Sequence, residues 1–311
     1  MIRTASILAS GAAALLLAAA QPALAQDGHV NHAAHGHAHA AFASDRIHVA
    51  VEGQGPDVIL IPGLSSSPEV WQGTVDHLNG AYRVHRIHVQ GFAGAPAEGN
   101  ATGPVAAPVA EEIARYIREQ GLTKPAVVGH SMGGTMGMML AARHPDLVGR
   151  LMVVDMIPFM GAMFGPPGTT AESVKPVADQ VYAGQSSAPR EQYLTQAKAA
   201  VTGMIKTEAA RTGPLADVET SDQQVSASAF RELIVTDLRP ELGKITAPVE
   251  VLYVKFNDPR MTDAITDAIY QMSFSTLQGA KLKRIDDSAH FIMLDQPTAF
   301  YSDLDAFLSA K

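Results

Sequence analysis

The sequence predicts an α/β fold whose mainly parallel, doubly wound sheet is covered by helices on both faces. Short apolar runs with strand character alternate with amphipathic helical segments along most of the chain, the pattern of repeated strand–helix–strand units. The alternation stops at Met156, and the next buried strand begins only at Val249. We therefore expect a sheet-based core, residues 45–155 and 242–311, interrupted by a mostly helical cap at residues 156–241.

The first predicted strands cover residues 46–51 and 58–61, and the turn-forming run 53–56 between them predicts a hairpin. Ser67 followed by Pro68 predicts a helix start, with Ser67 as the N-cap residue. The loop before it follows a strand's carboxyl end, where open α/β sheets place their ligand crevices.

The remaining core elements follow from periodicity. Apolar residues spaced by three and four predict helices around Val109–Ile117, over 261–272 and at the carboxyl terminus. In the second of these, Ile265, Ile269 and Met272 share one face, which we expect to be buried. Further strands are expected at residues 82–89, 126–128, 151–154, 249–254 and 282–285.

The segment 126–140, AVVGHSMGGTMGMML, organises this core. It contains G-x-S-x-G with Ser131 at the centre, between a strand pattern and a helix pattern. Gly129 and Gly133 flank the position where a Cβ atom would clash with the adjoining strand or helix, so we expect a strained turn that exposes the Ser131 hydroxyl. The alternative is a glycine-rich turn with an idle serine.

A histidine and a carboxylate follow later strands of the predicted sheet. His290 lies just past the strand at 282–285, and Asp258 lies past the strand at 249–254. Asp155, also at a strand end, is the main rival of Asp258. We interpret His130 as a packing residue, because its side chain should point away from that of its neighbour Ser131.

With these residues in place, the chain resembles the α/β-hydrolase fold superfamily over residues 45–311, in particular its bacterial esterase-like members with a cap. The order Ser131, Asp258, His290 is the order of nucleophile, acid and histidine in that fold, and GHSMGG is a specific match. The segments SAHFIMLDQP and DLRPELGKITAPVEVLYV resemble the closing segments of the family.

Two motifs depart from the family pattern. Pro62-Gly63 stands where the family often has His-Gly, and His88, Gly91 and Ala93 occupy a turn that is commonly Asp-x-x-Gly-x-Gly-like. The first departure removes a histidine that would support the oxyanion loop. The donor itself would be the backbone N–H of Leu64, which this departure leaves in place.

The resemblance implies a serine hydrolase that cleaves small or medium carboxylic esters through an acyl-enzyme on Ser131. His290 would serve as the base and Asp258 would orient it, while the N–H groups of Leu64 and Met132 would form the oxyanion hole. We expect no cofactor and no catalytic metal. A lactonase, a perhydrolase-like enzyme or a carbon–carbon hydrolase could use the same triad, and a non-catalytic exported metal-binding protein is the alternative of another class.

The amino terminus has the layout of a cleavable secretory signal over residues 1–25. Arg3 precedes an apolar run at residues 7–20, and Ala23-Leu24-Ala25 supplies small residues before Gln26. We therefore expect a periplasmic or secreted protein without stable membrane insertion.

The next segment, residues 26–44, is expected to be a flexible tail. It contains five histidines, which could bind a metal ion incidentally: His29, His32, His35, His37 and His39.

The net charge of −8 makes nucleic acid an unfavourable partner, and the absence of cysteine excludes disulfides.

Overall fold

One seven-stranded sheet is the centre of the computed structural model, which describes residues 42–256, 258 and 260–310. The strands are β1 Ile47–Gly53, β2 Asp57–Ile61, β3 Arg83–Val89, β4 Ala126–His130, β5 Arg150–Val154, β6 Val249–Tyr253 and β7 Lys281–Arg284. Their spatial order is β1-β3-β2-β4-β5-β6-β7, and every neighbouring pair except β1–β3 is parallel. The predicted mainly parallel sheet is confirmed.

The predicted hairpin of the first two strands is wrong. β1 pairs in antiparallel fashion with β3, with Ile47 opposite Val89, and β2 lies on the other side of β3. β2 is almost entirely buried and hydrogen-bonds to both β3 and β4, whereas most of β1 is solvent-facing. The apolar strand therefore occupies the centre of the sheet and the alternating strand occupies its edge.

Ten α-helices surround the described sheet. They are α1 Gln72–Leu78, α2 Ala106–Glu119, α3 Met132–Arg143, α4 Ala171–Ser187, α5 Arg190–Gly203, α6 Thr212–Thr220, α7 Gln223–Val235, α8 Asp263–Ser273, α9 Ile292–Asp295 and α10 Pro297–Ser309. Residues of α2, α3 and α8 pack on one face of the sheet, and residues of α1 and α10 pack on the other. Alternate strand residues face these two layers, with Ile59 on one side and Leu60 on the other.

The buried face of α8 differs from the predicted one. Thr266 and Tyr270 are buried, whereas Ile265 and Met272 are 43% and 71% exposed. Tyr270 stacks on Tyr253 of β6 with ring centroids 4.0 Å apart. This aromatic contact, and not the aliphatic stripe, faces the sheet.

The segment between β5 and β6 contains helices α4 to α7 and no strand among its described residues. α4 packs along α7, and Phe159, Val174, Ala178 and Ile234 form a small apolar cluster of their own. This helical insertion covers the region expected to form the cap.

Two buried or half-buried carboxylates attach the cap to the core. Glu232 on α7 accepts hydrogen bonds from the backbone N–H groups of Val105, Ala106 and Ala107 at 2.5–2.8 Å, and so satisfies donors at the start of α2. Asp217 on α6 accepts hydrogen bonds from the N–H and the hydroxyl of Ser67, both at 2.8 Å. Ser67 therefore binds the cap and does not cap its own helix, which begins with a 3-10 turn at Pro68–Trp71.

The end of the predicted tail contacts α2. The Phe42 ring meets Tyr116 edge-on with centroids 5.0 Å apart, and Arg115 stacks over Phe42 and donates to the Ala43 carbonyl. The predicted signal sequence at 1–25 and the rest of the tail, 26–41, lie outside the described residues. Within the described ranges, the structure contains no helix with the length and apolarity needed to cross a membrane.

Candidate active site

Ser131 occupies a strained turn between β4 and α3. Its backbone has φ 53° and ψ −121°, a conformation that non-glycine residues rarely adopt. Its N–H donates to the Val154 carbonyl at 2.9 Å, and its own carbonyl accepts from the N–H groups of Gly134 and Thr135. These hydrogen bonds hold the predicted turn in place.

The glycines around Ser131 are required by space. A Cβ atom on Gly129 would lie 2.2 Å from the Gly133 carbonyl oxygen, and one on Gly133 would lie 2.2 Å from the Ile61 carbonyl oxygen. A Cβ atom on Gly134 would lie 2.9 Å from the side-chain atom Cγ1 of Val153. The predicted steric role of Gly129 and Gly133 is confirmed, because both neighbours are backbone atoms that cannot move aside.

His290 is held by Asp155. Its Nδ1 lies 2.6 Å from Asp155 Oδ2, while Asp155 Oδ1 accepts from the Val254 N–H at 3.1 Å and the Tyr270 hydroxyl at 3.0 Å. Burial and the adjacent Asp155 carboxylate raise the pKa of Tyr270 well above its usual value, so this phenol stays a hydrogen-bond donor. When Nδ1–H donates to the carboxylate, Nε2 is the unprotonated ring nitrogen and can accept a proton.

The prediction that Asp258 orients His290 is wrong. The Asp258 carboxylate pairs with Arg260, with Oδ2 2.6 Å from Nη2, and this guanidinium lowers the pKa of Asp258 to about 2. Its side chain is 29% exposed, compared with 9% for Asp155. Asp155 directly follows β5, the strand next to β4. Asp258 lies five residues beyond β6, in a turn that also contains its ion-pair partner Arg260.

The His130 ring packs against His290. Its fully buried ring lies 4.6 Å from the His290 ring, measured between centroids, and its Nε2 is 3.1 Å from the His290 carbonyl oxygen. Burial, together with the nearby His290, lowers the pKa of His130 well below its usual value. His130 is therefore neutral and donates through Nε2–H, as fits the packing role that we predicted.

Ser131 and His290 line one cavity of about 520 Å³ between the core and the cap. No hydrogen bond joins their side chains in the part of the chain that the structure describes, so proton transfer needs the two groups to come within hydrogen-bond distance of each other. Met156, Met160 and Met163 line the cavity, while Phe159 is buried in the cap's own cluster. The apolar start of the cap thus serves both as a cavity wall and as packing.

Two backbone donors flank Ser131. Met132 is the first residue of α3, so its N–H has no acceptor within the helix. The Leu64 N–H makes no hydrogen bond among the described residues. Gly63 lets this loop approach the turn, since a Cβ there would lie 3.2 Å from Ser131 Cβ.

The described residues contain no group of three or more histidine, aspartate or glutamate side chains arranged to hold a metal ion. The His-rich tail lies outside those residues.

Comparison with known proteins decides the family. The family model for the alpha/beta hydrolase fold matches residues 56–297, which include Ser131, Asp155 and His290. The chain belongs to the alpha/beta hydrolase fold family. The predicted resemblance and the prediction of a hydrolase are therefore confirmed.

Several relatives of this hydrolase are named esterases or lactonases. A pimeloyl-[acyl-carrier protein] methyl ester esterase of Aeromonas hydrophila is 27% identical over 272 residues, covering 84% of this chain and 99% of the relative. Among solved structures, an esterase from Exiguobacterium antarcticum has a TM-score of 0.69 at 19% identity, covering 85% of this chain and 96% of its own. An enol-lactonase from Burkholderia xenovorans has a TM-score of 0.68 at 20% identity, with coverage of 85% and 96%. The two structures show a shared fold.

Replacing each carboxylate separately by an amide tests which of the two orients His290. Asp155→Asn should lower kcat on an activated ester by about 10⁴-fold, because the amide no longer stabilises the charged imidazole or fixes its tautomer. Asp258→Asn, the matched control, should stay within about threefold of the parent, because it removes only an exposed ion pair. Steady-state kinetics on both purified variants measures the effect, and equal losses would contradict the assignment.

Glycine substitution tests the space around the Ser131 turn. Gly133→Ala should lower the free energy of unfolding by at least about 2 kcal/mol, because the methyl group meets the Ile61 carbonyl. Gly184→Ala, inside α4 with nothing within 4 Å of the added methyl, should raise it by about 0.5–1 kcal/mol. Urea unfolding measures both changes, and a neutral Gly133→Ala would show that α3 can move away from β2.

Proposed function

We propose that this protein is an exported serine hydrolase that cleaves small or medium carboxylic esters. The observation that carries the proposal is the 2.6 Å pair of His290 and Asp155, which shares one cavity with the strained Ser131. A buried carboxylate, an oriented imidazole and a serine that lines the substrate cavity are the groups that acyl transfer requires.

In the proposed reaction, His290 Nε2 takes the proton of the Ser131 hydroxyl as Oγ attacks the ester carbonyl carbon. The carbonyl oxygen becomes an oxyanion, and the N–H groups of Leu64 and Met132 stabilise it; removing one such donor typically costs ~3 kcal/mol. The carbon–alkoxy bond then breaks and His290 gives its proton to the departing alcohol. Water attacks the acyl-enzyme by the same path and releases the acid and Ser131.

The cavity favours a neutral, largely apolar substrate. Among the residues that line it, the charged or titrating groups are Asp155, the histidines His130 and His290, and the tyrosines Tyr193 and Tyr270. No lysine, arginine or glutamate side chain reaches the cavity from the described residues. An ester group with hydrocarbon substituents would therefore bury apolar surface without leaving a charge unpaired.

The relatives support ester cleavage, and the amino terminus supports export. The Aeromonas hydrophila relative is named as an esterase of a methyl ester, which agrees with a small alcohol as leaving group. The charged start, apolar run and small residues before Gln26 are typical of a signal sequence that is cleaved on secretion. This pattern supports export of the mature enzyme to the periplasm or out of the cell.

Removal of the nucleophile tests the reaction class. Ser131→Ala should lower kcat on activated esters by at least about 10⁴-fold and abolish labelling by a fluorophosphonate. Turnover and labelling of the parent and the variant should be measured with a panel of esters and lactones, which also shows which acyl carbonyl is preferred. A parent protein that is not labelled, hydrolyses nothing and binds zinc or copper through its tail would instead be an exported metal-binding protein.

Substrate charge tests the apolar cavity. Methyl butanoate should be hydrolysed with a kcat/KM about 30-fold higher than that of monomethyl succinate, because the free carboxylate would lose at least about 2 kcal/mol of hydration without finding a cation. The two substrates have the same acyl length, so chain length does not contribute to the difference. Equal kcat/KM values would show that the acid end reaches solvent or a cation.

A further inference from the structure

Backbone groups on both sides of His290 are fixed by hydrogen bonds. The Ala289 N–H donates to Asp295 Oδ2 at 2.9 Å, and the Phe291 N–H donates to the Met204 carbonyl at 3.2 Å. The His290 carbonyl faces His130 Nε2. Asp295 and His130 lie outside the cap, whereas Met204 belongs to the cap and directly follows helix α5.

Asp295 connects the same loop to the cap a second time. This buried carboxylate accepts the N–H of Lys206 on Oδ2 at 3.0 Å and the N–H of Thr207 on Oδ1 at 2.8 Å. With the Ala289 bond, one carboxylate accepts three backbone N–H groups from two distant segments. The turn after α5 and the residue before His290 are therefore held at a fixed separation.

Helix α5 also forms one wall of the cavity. Tyr193, Ala197 and Val201 on α5 line it, as does Met204 just beyond the helix. Hydrogen bonds through Asp295 thus connect the turn that follows α5, the helix that lines the cavity, to the N–H of Ala289, the residue before His290.

We propose that Asp295 is a positioning residue that couples the cap to the catalytic histidine. It rests on the proposed function, because it assigns His290 the role of base. Asp295 does not line the cavity; it acts through the backbone N–H of Ala289, the residue before His290, and so sets where the imidazole stands relative to Ser131 and Asp155. Loosening the backbone at Ala289 weakens the contact between His290 and Asp155.

The proposal predicts a change that a purely structural carboxylate would not cause. Among the residues that the structure describes, the titratable groups in contact with His290 are Asp155 from the end of β5 and neutral His130 from β4, and Tyr270 on α8 reaches it through Asp155. A weaker contact with the Asp155 carboxylate makes protonation of the imidazole less favourable. The acidic limb of the rate profile should then move to lower pH.

The test is the rate of fluorophosphonate labelling of Ser131 between pH 4 and pH 9. This reaction needs an activated serine but no natural substrate, so it still reports on His290 if ester hydrolysis fails as the function. Asp295→Asn should slow labelling by about 100-fold, because an amide cannot accept all three N–H groups and a displacement of about 1 Å has this effect. Its acidic limb should move down by about half a pH unit or more.

Glu232→Gln is the matched control. Glu232 also accepts three backbone N–H groups across the boundary between cap and core, but its partners lie at the start of α2 and not beside His290. This variant should lose thermal stability to a similar extent, yet keep the parent labelling rate within about threefold and the parent pH profile.

A second variant separates the cap from the carboxylate. Thr207→Pro removes one cap N–H donor to Asp295, and the Thr207 φ of −72° suits proline. It should produce a smaller shift in the same direction, and it also tests the proposal if Asp295→Asn does not fold. Parent-like labelling in Thr207→Pro would overturn the coupling to the cap. Parent-like labelling in Asp295→Asn, or equal slowing in Glu232→Gln without a pH shift, would overturn the positioning role.

Discussion

The contact between Asp155 and His290 is the interaction on which the site depends, because one carboxylate joins the ends of three strands. Asp155 follows β5, its Oδ1 binds the Val254 N–H just past β6, and its Oδ2 binds the histidine that follows β7. The Ser131 N–H in turn binds the carbonyl of Val154, the residue before Asp155. Ser131, Asp155 and His290 are thus held at the same rim of the sheet, and α8 adds the Tyr270 hydroxyl to it.

Much of this arrangement follows from the sequence because it is local. Apolar runs and helical periodicity identify the strands and most helices, and the glycine spacing around Ser131 leaves few conformations for the turn. The chain order of serine, aspartate and histidine also follows from the sequence, but both Asp155 and Asp258 satisfy it. The structure separates the two candidates: Asp155 contacts His290 from the end of β5, the strand beside β4, whereas Asp258 pairs with the Arg260 side chain.

The features that the sequence did not predict depend on long-range partners. Strand order places β1 beside β3, which no property of the intervening turn reveals. Ser67 has the local signature of a helix cap, yet its hydroxyl binds Asp217, 150 residues later. The aliphatic stripe on α8 gives way to Tyr270 because the tyrosine finds both an aromatic neighbour and a hydrogen-bond acceptor at the sheet. In each case a tertiary contact outweighs a local preference.

The attachment of the cap has a consequence for how this scaffold can diversify. Glu232 and Asp295 bind main-chain amides, and every residue except proline offers the same amide whatever its side chain. Substitutions among the cavity-facing residues of α5 therefore leave these attachments unchanged. Selection can alter the cap's cavity-facing side chains one at a time for a new substrate, while the frame that carries them keeps its position over the sheet.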